Sequence, residues 1–105
     1  MEMIKSIVSQ ADYNKAKTFF KAIEHPTRLK VLTYLQVNGP CKVTELHNTF
    51  RMEQSLMSQH LAILRTSRIV NVERSGREMY YNVNLDAFAL ANETTKKIID
   101  HVKNN

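Results

Sequence analysis

The spacing of apolar and polar positions changes period twice along this chain. From about Ala11 to Glu24, Tyr13, Ala16, Phe20 and Ile23 recur every three or four residues, with Lys15, Lys17 and Lys21 mostly outside the stripe. This predicts an amphipathic helix. His25-Pro26 ends it, because a residue before proline is pushed out of the helical region. Pro26 suits the first turn of a second helix, to about Val37, where its missing N–H is not needed. Leu29, Val31, Leu32, Tyr34 and Leu35 give that helix a wide apolar arc, so it is expected at the centre of the core. Asn38-Gly39-Pro40 is a strong break. A short helix from Val43 to Thr49 follows, with Val43, Leu46 and Phe50 inward, and Phe50-Arg51-Met52 is a tight connection without glycine. In the next helix, Glu53 to Thr66, Met57, His60, Leu61 and Leu64 stand at i, i+3, i+4 and i+7 and define a buried face.

The period then drops from 3.6 to 2. Ile69 to Arg74 and Met79 to Val83 are rich in Val, Ile and Tyr, and Ser75-Gly76 reads as the turn of a β-hairpin. From Leu85 to about Lys103 the helical period returns, with Leu85, Phe88, Asn92, Thr95, Ile98, Ile99 and Val102 on one face. The order is α-α-α-α-β-β-α, a mainly α fold with a small β-hairpin. Two short helices joined by a tight turn, then a hairpin, describe a helix-turn-helix with a wing.

Length changes this picture little: 105 residues make one domain, 1–105, with residues 1–10 expected as a flexible N-terminal segment. The charge matters more. Fifteen Lys and Arg against ten Asp and Glu give +5 and a pI near 9.5, which favours a polyanionic partner. Cys41 is the only cysteine, which excludes an intrachain disulfide and fits a reducing cytosol. The chain has no apolar run long enough to span a bilayer, and MEMIKSIVSQ lacks the continuous apolar stretch of a signal peptide. A cytoplasmic protein with no membrane partner is expected.

The helix starting at Glu53 carries the candidate chemistry. Opposite its buried face lie Ser55, Gln59, Ala62 and Thr66, flanked by Ser58 and Arg65, with Gln54 in the first turn. A helix needing only solubility would show Glu and Lys there. Gln can pair bidentately with adenine, Ser donates or accepts, and Ala lets the backbone approach or meets a thymine methyl. Leu56, on the flank, either packs locally or meets a base methyl. The hairpin tip, Arg74-Ser75-Gly76-Arg77, offers two guanidiniums to phosphates or the minor groove. Arg65 and Arg68 either grip phosphate or complement the helix dipole.

These residues resemble the ArsR-type winged-helix repressors. FFKAIEHPTRLKVLTYL is similar to the family's second-helix signature, and MEQSLMSQHLAILRTSRIVNVERSGREMYYNV to its recognition helix and wing. The similarity covers about residues 15 to 100. Glu53 departs from it, standing where the family usually has serine or a similar cap. The resemblance implies an inverted-repeat operator on double-stranded DNA, repression relieved by an inducer, and a homodimer built from the first and last helices. It assigns DNA reading to Gln54, Ser55, Ser58 and Gln59, with the wing at Arg74 and Arg77. His60 matches a family histidine, and its inward phase marks it as structural.

The family's metal sensors carry Cys-x-Cys where this chain has Lys42 and Thr44. Their zinc-type ligands on the last helix fall on Asp86, Phe88, Ile99 and Val102, of which only Asp86 could ligate. His25, His47, His60 and His101 form no ligand spacing. No metal and no cofactor is therefore expected. The family's redox members use a cysteine pair; Cys41 is alone and reads as a buried, inert thiol, the alternative being a sensor thiol that is modified or bridges two subunits. Tyr13, Phe20, Phe88, Ile98, Ile99 and Val102 hold more apolar surface than one small core needs, which also points to dimerisation through the terminal helices. With two glycines there is no phosphate-cradling loop, and no nucleophile motif is present, which argues against an enzyme. The alternative is a winged helix used as a protein-interaction module without sequence-specific DNA binding.

Overall fold

The computed structural model describes residues 7–104. Among these it contains helices α1 (Gln10–Ile23), α2 (Pro26–Asn38), α3 (Val43–Thr49), α4 (Gln54–Thr66) and α5 (Leu85–Lys103), with strands β1 (Val70–Ser75) and β2 (Glu78–Val83) between α4 and α5. The first six residues of the segment expected to be flexible lie outside the described residues. Of the remainder, Val8 is buried, and Ser9 caps α1 by accepting from the Asp12 N–H at 3.0 Å.

Each boundary has a local cause. His25 leaves the helical region ahead of Pro26, and its Nδ1 then accepts from the Thr27 N–H, capping α2. Gly39, at φ 78°, closes α2 by donating its N–H to Leu35 O. Helices α3 and α4 end alike. Past α3, Met52 N bonds His47 O and Arg51 N bonds Asn48 O; past α4, Ile69 N bonds Leu64 O and Arg68 N bonds Arg65 O. Both are Schellman closures, and both place an arginine in the left-handed region, Arg51 at φ 52° and Arg68 at φ 61°.

The core lies where α2, α4 and the hairpin meet. Val31, Leu32 and Leu35 of α2, Leu46 of α3, Met57, Leu61 and Leu64 of α4, and Ile69 and Val70 at the hairpin base are buried together. Leu29 departs from the sequence expectation: it is 48% exposed, because only one side of α2 is covered. Phe19 of α1 packs edge-on against Phe88 of α5, ring centroids 4.9 Å apart, and joins the two terminal helices. Glu45 on α3 accepts the Tyr34 hydroxyl at 2.7 Å and the Cys41 thiol at 3.4 Å, which fixes the first helix of the helix-turn-helix against α2.

In the antiparallel hairpin Val70 pairs with Val83, Val72 with Tyr81 and Ser75 with Glu78. The turn is therefore Gly76-Arg77, one residue later than its composition suggests. Gly76 has φ 63° and Arg77 is not left-handed, the pattern of a type II′ turn. Cys41 exchanges both backbone bonds with Tyr81, at 3.0 and 2.8 Å, so the segment after Pro40 adds a one-residue third strand beside β2. Sequence reading missed this pairing, since one residue shows no period.

Candidate nucleic-acid interface

Helix α4 divides cleanly by burial. Met57, His60, Leu61 and Leu64 face the core, whereas Gln54, Ser55, Ser58, Gln59, Ala62, Arg65 and Thr66 are all exposed. The expected reading residues thus lie together on the outward face of one helix, held by a fully buried inner face. Turned outward, that face offers amide and hydroxyl donors and acceptors without carboxylates.

Two apolar residues border this face: Leu56, already noted on the flank, and Ile63, which sequence reading did not mark. Leu56 is 43% exposed and Ile63 42%, seven residues apart on one flank of α4. Their exposure leaves an apolar strip beside Gln59, suited to the C5-methyl groups of thymine. The sequence signal was Leu56 standing out of phase with the buried stripe; Ile63 gave the same signal and was passed over.

At the start of α4, Glu53 has cap geometry, φ −62° and ψ 144°, yet its side chain makes no cap hydrogen bond. The first N–H groups of α4 therefore have no side-chain cap among the described residues, and a carboxylate stands at this end of the helix. Arg74 and Arg77 are exposed at the wing tip, Arg74 on β1 opposite Met79 and Arg77 in the turn itself.

His60 is buried, at 7% exposure, and lies edge-on to His25 with ring centroids 4.7 Å apart. Its Nδ1 has no hydrogen-bond partner among the described residues. Burial first, then the neighbouring His25 and Arg28, hold its imidazole below the usual histidine range. This residue positions α4 against α2, as its inward phase implies. Cys41 is 1% exposed, and burial, with the Glu45 carboxylate beside it, pushes its thiol up to about 11. Such a thiol is protonated and shielded near neutral pH, and so a poor nucleophile.

Away from the outward face of α4, α1 and α5 leave apolar surface open. Phe20 is 43% exposed, Ile99 47% and Val102 68%, and Tyr13 and Ile98 on the same two helices are half-buried. Phe88 serves partly in the core through Phe19. Among the described residues no three His, Cys, Asp or Glu side chains come together as metal ligands, and no helix is long and apolar enough to cross a membrane.

Comparison with known proteins places this geometry. Residues 25–72 match the family described as bacterial regulatory protein, arsR family, a span that contains α2, α3, α4 and the start of β1. The HTH-type transcriptional regulator NmtR of Mycobacterium tuberculosis is 41% identical over 71% of this chain, and the match spans 61% of NmtR. An HTH-type transcriptional regulator of Methanocaldococcus jannaschii is 35% identical over 68% of this chain and 80% of its own length. The crystal structure of the transcriptional repressor PagR of Bacillus anthracis superposes with a TM-score of 0.62 at 32% identity, covering 72% of this chain and 83% of that one. The chain belongs to the arsR family of bacterial regulatory proteins.

Proposed function

We propose that the protein is a cytoplasmic transcriptional regulator that binds an inverted-repeat operator on double-stranded DNA as a homodimer and acts as a repressor. One observation carries this reading: the outward face of α4 is an exposed, carboxylate-free row of Gln, Ser and Thr, borne on a helix whose inner face is wholly in the core. Helix α4 enters the major groove, where Gln54, Ser55, Ser58 and Gln59 meet base edges. Arg74 and Arg77 bring the wing to phosphate or the minor-groove wall, and Arg65 grips phosphate beyond the end of the reading face. The apolar strip on α1 and α5, with Tyr13, Phe20, Phe88, Ile98, Ile99 and Val102, joins two copies, so that two α4 helices address half-sites about one helical turn or a multiple of it apart. Membership of the arsR family and the likeness to a repressor structure support it.

Selection of bound duplexes from a random-sequence pool tests the proposal. The expected outcome is a two-fold symmetric consensus whose binding weakens steeply with salt. Recovery of no consensus, with no salt-dependent retention on duplex DNA, would instead mark a winged helix that serves as a protein-interaction module.

A further inference from the structure

A cleft of about 370 Å³ opens between α1, the end of α4 and the start of α5, with walls mostly of apolar atoms from Phe19, Ala87, Leu90 and Ala91. Its size and lining are those of small-molecule sites. Two cations, Lys15 and Arg68, also line it, and neither has a carboxylate within salt-bridge distance among the described residues. The one carboxylate in the lining, Asp86, sits in the first turn of α5, where the helix dipole offsets its charge.

Arg68 also ties the cleft to the end of α4. It occupies the left-handed position of the α4 closure, where glycine fits without strain and an arginine side chain does not. Arg51 holds the same position in the α3 closure, so the strain is not specific to the cleft; what distinguishes Arg68 is its place in the lining. Its carbonyl accepts from the Asn84 amide at 2.9 Å, and Asn84 also caps α5, so this wall of the cleft joins the reading helix directly to a terminal helix. On α1 and α5 the cleft lies on the opposite side from the exposed Phe20 and Ile99: at roughly 100° per residue, Thr18 and Leu90 point away from them. Dimerisation through those faces leaves the cleft open.

We infer that this cleft is an effector site for a small organic acid, its ring or chain against the apolar wall and its carboxylate between Lys15 and Arg68, whose occupancy alters operator affinity. The inference rests on the reading of the chain as an operator-binding regulator. Binding to the free protein is independent of that reading, and operator affinity without any acid is measured on the same sample to keep the two apart. The probes are indole-3-acetate, 4-phenylbutyrate and octanoate, with tryptamine as the cationic counterpart of the first. At millimolar concentration at least one acid shifts the amide resonances of Thr18, Arg68 and Leu90 and changes operator affinity about fivefold or more, whereas tryptamine does neither. Arg68→Gly raises the melting temperature yet weakens the acid at least tenfold, and Thr18→Trp, an exposed substitution that fills the cleft, does the same to binding without touching the core. No shift with any of the three acids, equal shifts with tryptamine, or unchanged acid binding in folded Arg68→Gly would overturn the inference.

Discussion

His60 shows how a single side chain couples α4 to its support. It sits on the core side of α4, buried, with an Nδ1 that has no hydrogen-bond partner among the described residues and with His25 and Arg28 close by. Because its folded-state pKa is lowered, the unfolded chain binds the proton more readily. Stability is therefore fully present above the unfolded histidine pKa of about 6.5 and is lost as pH falls below it toward the folded value. His60→Phe keeps the ring in place and removes the titration. Thermal melts from pH 7.5 to 5.5 should show wild type losing stability and the variant losing distinctly less; parallel losses would place the proton uptake elsewhere.

At the scale of elements, α4 depends on how its ends are closed. Glu53 adopts cap geometry without a cap hydrogen bond, and it places a carboxylate at the start of α4. Glu53→Ser supplies the missing acceptor and should stabilise the domain by about 1 kcal/mol, read as a rise in urea midpoint at unchanged slope. It should also tighten operator binding at low salt by removing a like charge from phosphate. Stability gained with no change in affinity would show that Glu53 faces away from DNA. The helices and the hairpin were legible in the chain because their burial is periodic, and His25-Pro26 and Asn38-Gly39 announced their breaks. The closures after α3 and α4 were not legible, since Arg51 and Arg68 stand where a glycine would have signalled the left-handed turn. The register of the wing slipped by one residue because Ser75-Gly76 and Gly76-Arg77 are equally good turns by composition, and only strand pairing decides. Exposure on α2 was misjudged for the same reason: Leu29 is apolar, but whether its side of α2 is covered depends on the rest of the fold. Candidate reading residues were legible because they follow from the phase of the buried stripe, whereas the cleft behind α4 draws on three distant segments and leaves no local pattern.

The whole molecule is drawn out, with extents of 50 × 26 × 22 Å and a radius of gyration of 16.0 Å. A domain of about 100 residues that closed fully on itself would have a radius near 13 Å. Helices α1 and α5 therefore project apolar surface that a second copy would cover. Phe20→Glu combined with Ile99→Glu alters two exposed positions, so the fold should persist while the dimer does not. Sedimentation at micromolar concentration should find wild type dimeric and the double variant monomeric, with operator affinity reduced at least about a hundredfold as the two half-sites are no longer engaged together. A wild type that is monomeric and folded under those conditions would refute the dimer.

The central claim, that α4 reads bases while the wing holds the backbone, meets its most direct test in two substitutions measured on operator and random DNA across a salt series. Gln59→Ala should weaken operator binding by about 1–3 kcal/mol and random DNA less, relaxing the preference at one base in each half-site symmetrically. Arg77→Ala should weaken both DNAs more evenly and lower the salt slope by about one unit per subunit. Equal losses on operator and random DNA for Gln59→Ala would contradict the claim, because the outward face of α4 would then not be reading sequence.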